Sequence, residues 1–144
     1  MAAIDSFQGQ LVAIDTAPLI YFMERHSRYF PLVQPFFAAV DRGEIAVVTS
    51  TVTLLEVLVH PYRQGNLELM QQYRDILLHA RGFRTVAVSP PIAEEAARLR
   101  AFHRILPADA LHLATALVMG ASAFLTNDDR LPDSPALRII QVEQ

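Results

Sequence analysis

Cysteine and tryptophan are both absent from the 144 residues. Without cysteine the chain can build no disulfide framework, thiolate zinc site, iron–sulfur cluster or thiol nucleophile; the missing tryptophan decides nothing. Lysine is absent as well, and all 12 basic residues are arginines. A Walker-A phosphate loop and a kinase nucleotide site each require a lysine. Schiff-base catalysis requires an amine that can lose its proton, which arginine cannot supply. The receiver domain, an α/β fold with an acidic pocket, also relies on a lysine. Those chemistries are closed. An overall basic field is lacking too: the net charge is −3 and the isoelectric point about 5.9, so any contact with nucleic acid falls to a local arginine patch.

Long apolar runs are equally scarce. Met1 to Gln10 carries Asp5 and no basic cluster, unlike a secretory signal. The longest stretch without formal charge, Ala110 to Asn127, is interrupted by His112, Thr115, Gly120, Ser122, Thr126 and Asn127. It reads as a buried helix followed by a buried strand rather than a membrane span. The expected compartment is the cytoplasm, with no membrane association. What is present is an apolar surplus, 52% hydrophobic against 19% charged residues, which suits a well-filled core and some surface hidden against a partner.

The length predicts a single domain over residues 1–144. Five short runs read as strands: Leu11 to Ile14, Ile45 to Thr49, Thr85 to Val88, Ala123 to Thr126 and Arg138 to Val142. They lack strict polar alternation, as strands covered on both faces do. Helices are expected from Ser50 or Thr51 to about Val59 with Pro61 and Gly65 ending it, from Asn66 to about Ala80, from Ser89 to about His103, and from Pro107 to Gly120. Residues 17 to 42 read as helical with interruptions at Pro31 and Pro35. Alternating strands and helices predict a three-layer α/β/α fold: a central parallel sheet of 4–5 strands with helices on both faces.

In such sheets ligands sit beyond the carboxyl ends of the strands. Asp15 ends the first strand, Asp128 follows the fourth, Glu56 lies about two turns into the helix after the second, and Asp109 sits in the first turn of the helix feeding the fourth. Each has an ordinary explanation. Asp15 can cap a helix, Asp109 gains from a helix N-terminus, and Asp128 suits a turn before Pro132. Glu56 has the weakest, because its helical neighbours Val52, Thr53, Val59 and His60 include no arginine to neutralise it. Four carboxylates mapped to one sheet edge repel unless a cation lies among them. Oxygen ligands without cysteine or an H-x-x-x-H pair suit Mg²⁺ or Mn²⁺, the equipment for phosphodiester hydrolysis.

Four motifs carry a resemblance: Val12-Ala13-Ile14-Asp15-Thr16, Thr51-Val52-Thr53-Leu54-Leu55-Glu56-Val57-Leu58, Ala108-Asp109-Ala110-Leu111-His112-Leu113-Ala114-Thr115-Ala116 and Phe124-Leu125-Thr126-Asn127-Asp128. In this order and spacing, over about residues 10 to 142, the chain resembles the PIN-domain nucleases, and among them the small VapC-like toxins of toxin–antitoxin pairs. The resemblance implies Mg²⁺- or Mn²⁺-dependent cleavage of RNA. It places Asp15, Glu56, Asp109 and Asp128 as the catalytic acids, with Asp15, Asp109 and Asp128 as metal ligands. Asp129 competes with Asp128 for the fourth place, and Thr126 matches a hydroxyl residue beside the metal site. Glu56 would position the attacking water or help to deprotonate it. A cognate antitoxin and a homodimer are the partners it implies. Ala17 departs from the Ser or Asn common there.

Two other readings stay open: a catalytically weak module of this fold binding RNA or protein, and a metal-dependent phosphohydrolase of small phosphate esters. Against an aspartyl-phosphate form of the latter, Asp15 is followed by Thr16 and Ala17 with no second acid. His60 and His112 read as packed or solvent-facing, the aromatics from Tyr21 to Phe37 as core or an apolar partner groove, and Glu94 with Arg98 as a helical ion pair.

Overall fold

The computed structural model describes residues 4–132 and 134–143. After a 3-10 turn at Ile4–Phe7, the chain runs β1 (Leu11–Ile14), α1 (Thr16–Met23), α2 (Phe30–Asp41), β2 (Ala46–Ser50), α3 (Thr51–Gln64), α4 (Leu67–His79), β3 (Phe83–Val86), α5 (Pro90–Phe102), α6 (Pro107–Val118), β4 (Ala123–Thr126) and β5 (Arg138–Gln141). All strand pairings in the sheet are parallel, in the order β3-β2-β1-β4-β5. The three-layer architecture expected from the alternation is what the chain adopts.

Strand alternation divides the core. Val12, Ile14, Val47 and Leu125 pack with Leu19, Phe36, Val57 and Tyr73 from α1 to α4. Their neighbours Ala13, Val48 and Phe124 turn to the other face, against Ile92, Leu99, Leu113 and Ala114 of α5 and α6. The central strands β2, β1 and β4 are buried on both faces and show no polar alternation, whereas the edge strands β3 and β5 expose Arg84 and Arg138. The uncharged stretch from Ala110 resolves into most of α6 and then β4, and among the described residues no helix is long and apolar enough to cross a membrane.

Several boundaries differ from the sequence expectation. The helical region before β2 breaks over residues 24–29, not at the prolines. Pro31 occupies the first turn of α2, where no amide is needed, and Pro35 lies inside the helix. Pro61 does not end α3: it is buried, one turn from the terminus, and the helix continues to a left-handed Gly65. β3 starts two residues early because Val47 N donates to Gly82 O at 2.7 Å, aligning Val47 with Phe83. At Gly82 the φ of +87° and the approach of Val40 O to 3.1 Å from an added Cβ leave room for glycine alone. Asp15, Ser50, Asn66 and Ser89 cap the helices that follow them.

Tyr73 of α4 is fully buried and its hydroxyl donates to Glu24 Oε2 at 2.5 Å, tying α4 to the end of α1. Burial, then the neighbouring carboxylate, push ionisation of this phenol far up, so it stays a donor. Tyr73→Phe keeps the ring and removes one hydrogen bond to an exposed partner. It should cost about 1 kcal/mol, read as a lower urea midpoint with an unchanged m value.

Candidate functional site

The strand order locates the site. From β1 the chain adds β2 and β3 on one side, then returns to place β4 on the other, so the order reverses between β1 and β4. Beyond the carboxyl ends of those two strands is where such sheets open a ligand crevice. Asp15 follows β1 and Asp128 follows β4, and both line a cleft there with Tyr21 and Asn127. A smaller adjoining cleft of about 80 Å³ is lined by Asp109, Arg104 and again Asp128 and Arg130.

Asp15 is only 14% exposed at its side chain, and both oxygens are engaged. Thr16 N donates to Oδ1 at 2.8 Å, the helix cap, and Thr126 Oγ1 donates to Oδ2 at 2.8 Å. Thr126 also accepts from Asp128 N at 3.0 Å, so one buried hydroxyl joins the two strand-end acids. Asp128 pairs with Arg130, whose Nε and Nη2 reach Oδ1 and Oδ2 at 2.9 and 3.0 Å; this pairing holds the carboxyl below its ordinary range. Asp129, its sequence neighbour, is exposed.

Glu56 is half-buried and accepts on Oε1 from Thr16 Oγ1 and His112 Nε2, both at 2.7 Å. His112 is buried in α6 and lies 3.8 Å from Asp15 Oδ1, beyond hydrogen bonding but close enough to link the acids of β1 and α3. The bond from His112, opposed by burial and helped by Thr16, lowers the pKa of Glu56. Asp109 is the exception. Among the described residues its side chain has no hydrogen-bonded or ion-paired partner, and burial, then the charges of Asp15 and Asp128, raise its pKa. Asp109 thus feels the charges of Asp15 and Asp128, while Glu56 is joined to Asp15 through Thr16 and His112.

His112 is the residue whose importance the sequence hid. It is packed, as expected, but its ring is hydrogen-bonded into the acid network; His60 is exposed. The only trace in sequence is its place one turn after Asp109. Arg98 pairs with Glu95, three residues before it, and not with Glu94.

The donor set tests whether a cation fits. It consists of hard carboxylate oxygens, one of them without a hydrogen-bonded counterpart. Among the described residues no three acidic or imidazole groups converge tightly enough to cage an ion. A cation that keeps several waters, as Mg²⁺ does, fits such an open set.

A model of the PIN domain family matches residues 12–136. The chain belongs to the PIN-domain family. No curated protein matches it in sequence. Among solved structures, this PIN domain is similar to VapBC2 from Rickettsia felis, bound to a promoter DNA fragment, with TM-score 0.70 and 17% identity over 91% of this chain and 98% of that one. It is similar to a toxin–antitoxin complex from Klebsiella pneumoniae, TM-score 0.69 and 21% identity over 92% and 98%. It is also similar to VapC20 of Mycobacterium tuberculosis, a sarcin–ricin loop cleaving toxin, TM-score 0.64 and 17% identity over 78% and 86%. At these identities the likeness is one of fold.

The opposite shifts of Asp109 and Glu56 predict opposite effects of pH on stability. Glu56, lowered, stabilises the fold above its ordinary 4.5, and that contribution is lost as pH falls through its lowered value. Asp109, raised, penalises the fold once pH climbs past its ordinary 3.8, and the penalty is complete above the raised value. Asp109→Asn should therefore raise the melting temperature at pH 7, by a margin that narrows as pH falls in a series of thermal melts.

Proposed function

We propose that this PIN domain is an endoribonuclease dependent on Mg²⁺ or Mn²⁺, the toxin of a toxin–antitoxin pair. The observation that carries the reading is that Asp15, Asp109 and Asp128 line adjoining clefts at the point where strand order reverses, with Asp109 lacking a hydrogen-bonded counter-group among the described residues. Those three would hold the ion, Asp128 rather than the exposed Asp129 completing the set. A hard divalent cation, when bound, supplies charge neutralisation at the scissile phosphate and a more acidic water. Thr126 keeps Asp15 and Asp128 in register through its two hydrogen bonds. Glu56, with a lowered pKa, is suited to orient the attacking water rather than to take its proton, since a general base works best with a pKa near the working pH. Arg104 and Arg130 line the clefts beside these acids and are the local cations available to RNA phosphates in a chain of net negative charge.

The antitoxin and dimer expectations draw on the similar complexes and on surface features. An apolar groove of about 300 Å³ between α2 and α4, lined by Phe22, Phe37, Ile76 and Phe83, suits a partner helix. Leu55, Val59 and Tyr62 form an exposed apolar stripe on α3, a face for a second copy.

Purified protein should cut single-stranded RNA only with Mg²⁺ or Mn²⁺ added. Asp15→Asn, which keeps the helix cap, should abolish cutting while leaving the circular dichroism spectrum and melting cooperative. Equal activity in that variant overturns the reading. Calorimetry that finds no divalent binding but intact binding to an antitoxin would favour the non-catalytic module instead.

A further inference from the structure

Behind Glu56 lies a line of buried hydroxyls whose hydrogen-bond direction can be worked out by counting protons. Thr16 Oγ1 donates to Glu56 Oε1 at 2.7 Å, which commits the only proton that hydroxyl has. Thr53 Oγ1, 3.2 Å from Thr16 Oγ1, must then donate to it. Thr49 Oγ1, 2.8 Å from Thr53 Oγ1, must in turn donate to Thr53. Thr49, Thr53 and Thr16 are all buried, so water cannot readily substitute for any of these donors. The chain of donation runs one way, from the end of β2 through α3 and α1 to the carboxylate.

His112 reaches the same oxygen from α6. A lone pair on Nε2 would face the lone pairs of a carboxylate at 2.7 Å, so the hydrogen sits on Nε2 and is donated. The other ring nitrogen, Nδ1, is buried without a hydrogen-bond partner among the described residues, which also disfavours placing that hydrogen there. Oε1 thus receives two donors fixed in the core, whereas Oε2 receives none from the described residues.

We propose that Thr49, Thr53 and His112 are positioning residues: with Thr16 they saturate Glu56 Oε1 from one side, lock the carboxylate and reserve Oε2 for the attacking water. This rests on the nuclease reading above and sharpens it. A free glutamate side chain samples several rotamers, and holding it against packed donors keeps the accepting oxygen within the narrow geometry that attack requires. The lowered pKa of Glu56 agrees with this arrangement, because every donor stabilises the anion.

Two measurements on the full chain test it. Without RNA or metal, a two-bond ¹⁵N–¹H spectrum of the histidines should show His112 with hydrogen on Nε2 and a bare Nδ1. A bare Nε2, with the hydrogen on Nδ1 alone, overturns the proposal whether or not the protein cuts RNA. In cleavage assays Thr53→Val, nearly isosteric but without a hydroxyl, should lower kcat about 10–100-fold with KM unchanged, the usual effect of removing a partner behind a site residue. Thr53→Ser should restore it. Unchanged kcat in folded Thr53→Val, or loss confined to KM, overturns the positioning role. Should Thr53→Val fail to fold, His112→Gln and His112→Leu make the same comparison, the amide nitrogen of Gln standing in for Nε2; equal kcat in those two overturns it. The expected histidine spectrum with a wild type that cuts no RNA withdraws the nuclease reading and the positioning role with it, leaving only the donor geometry.

Discussion

Like charges brought together in a half-dry crevice repel, and the site is organised around that repulsion. Three of its acids are relieved by the chain itself. Asp15 accepts from a backbone amide and Thr126, Glu56 from Thr16 and His112, and Asp128 from Arg130. Among the described residues Asp109 has no hydrogen-bonded partner, and burial, then the charges of Asp15 and Asp128, raise its pKa against the smaller pull of His112 and Arg130. An isolated acid in a helix's first turn would sit comfortably against the helix dipole. The structure instead holds one in which burial and like charge outweigh the pull of His112 and Arg130, which is the condition under which a bound cation changes most.

The fold makes that crowding unavoidable. β1 is the central strand, paired with both β2 and β4, so the residues leaving its carboxyl end have acids from either side for neighbours. Placing hydroxyls on the buried side, at Thr16, Thr49, Thr53 and Thr126, supplies the crevice with donors that carry no charge. The arginines lie outside. Arg130 is 79% exposed at its side chain, so its pair with Asp128 is one that water, salt or an incoming phosphate can exchange at small cost.

Much of this was legible in the residues. Short apolar runs without alternation led to a doubly covered parallel sheet, and Asp15 and Asp128 at strand ends followed from where the runs stop. Glu56 stood out because nothing at helical spacing could neutralise it. Its actual partner is 56 positions away on another helix, a separation that local pattern cannot see. For the same reason His112 read as ordinary packing: burial and hydrogen bonding into an acid network look identical one helix at a time. Pro61 is tolerated in α3 because its burial can outweigh a lost helical hydrogen bond, and the exposed Pro35 is carried by the burial of Val33, Phe36 and Phe37 beside it in α2. β3 starts two residues before its composition suggests because its start depends on a bond to β2.

The central position of β1 also bears on when during synthesis the crevice can exist. β1 ends at Ile14, yet its second neighbour, β4, begins only at Ala123, and the donor to Asp15 Oδ2 is Thr126. Domains tend to fold as units, and pairings between segments so far apart in the chain close late. A polypeptide synthesised only as far as α5 therefore lacks Asp109, Thr126 and Asp128 together. Chains that stop before α6 carry Asp15 and Glu56 without the residues that complete the crevice around them.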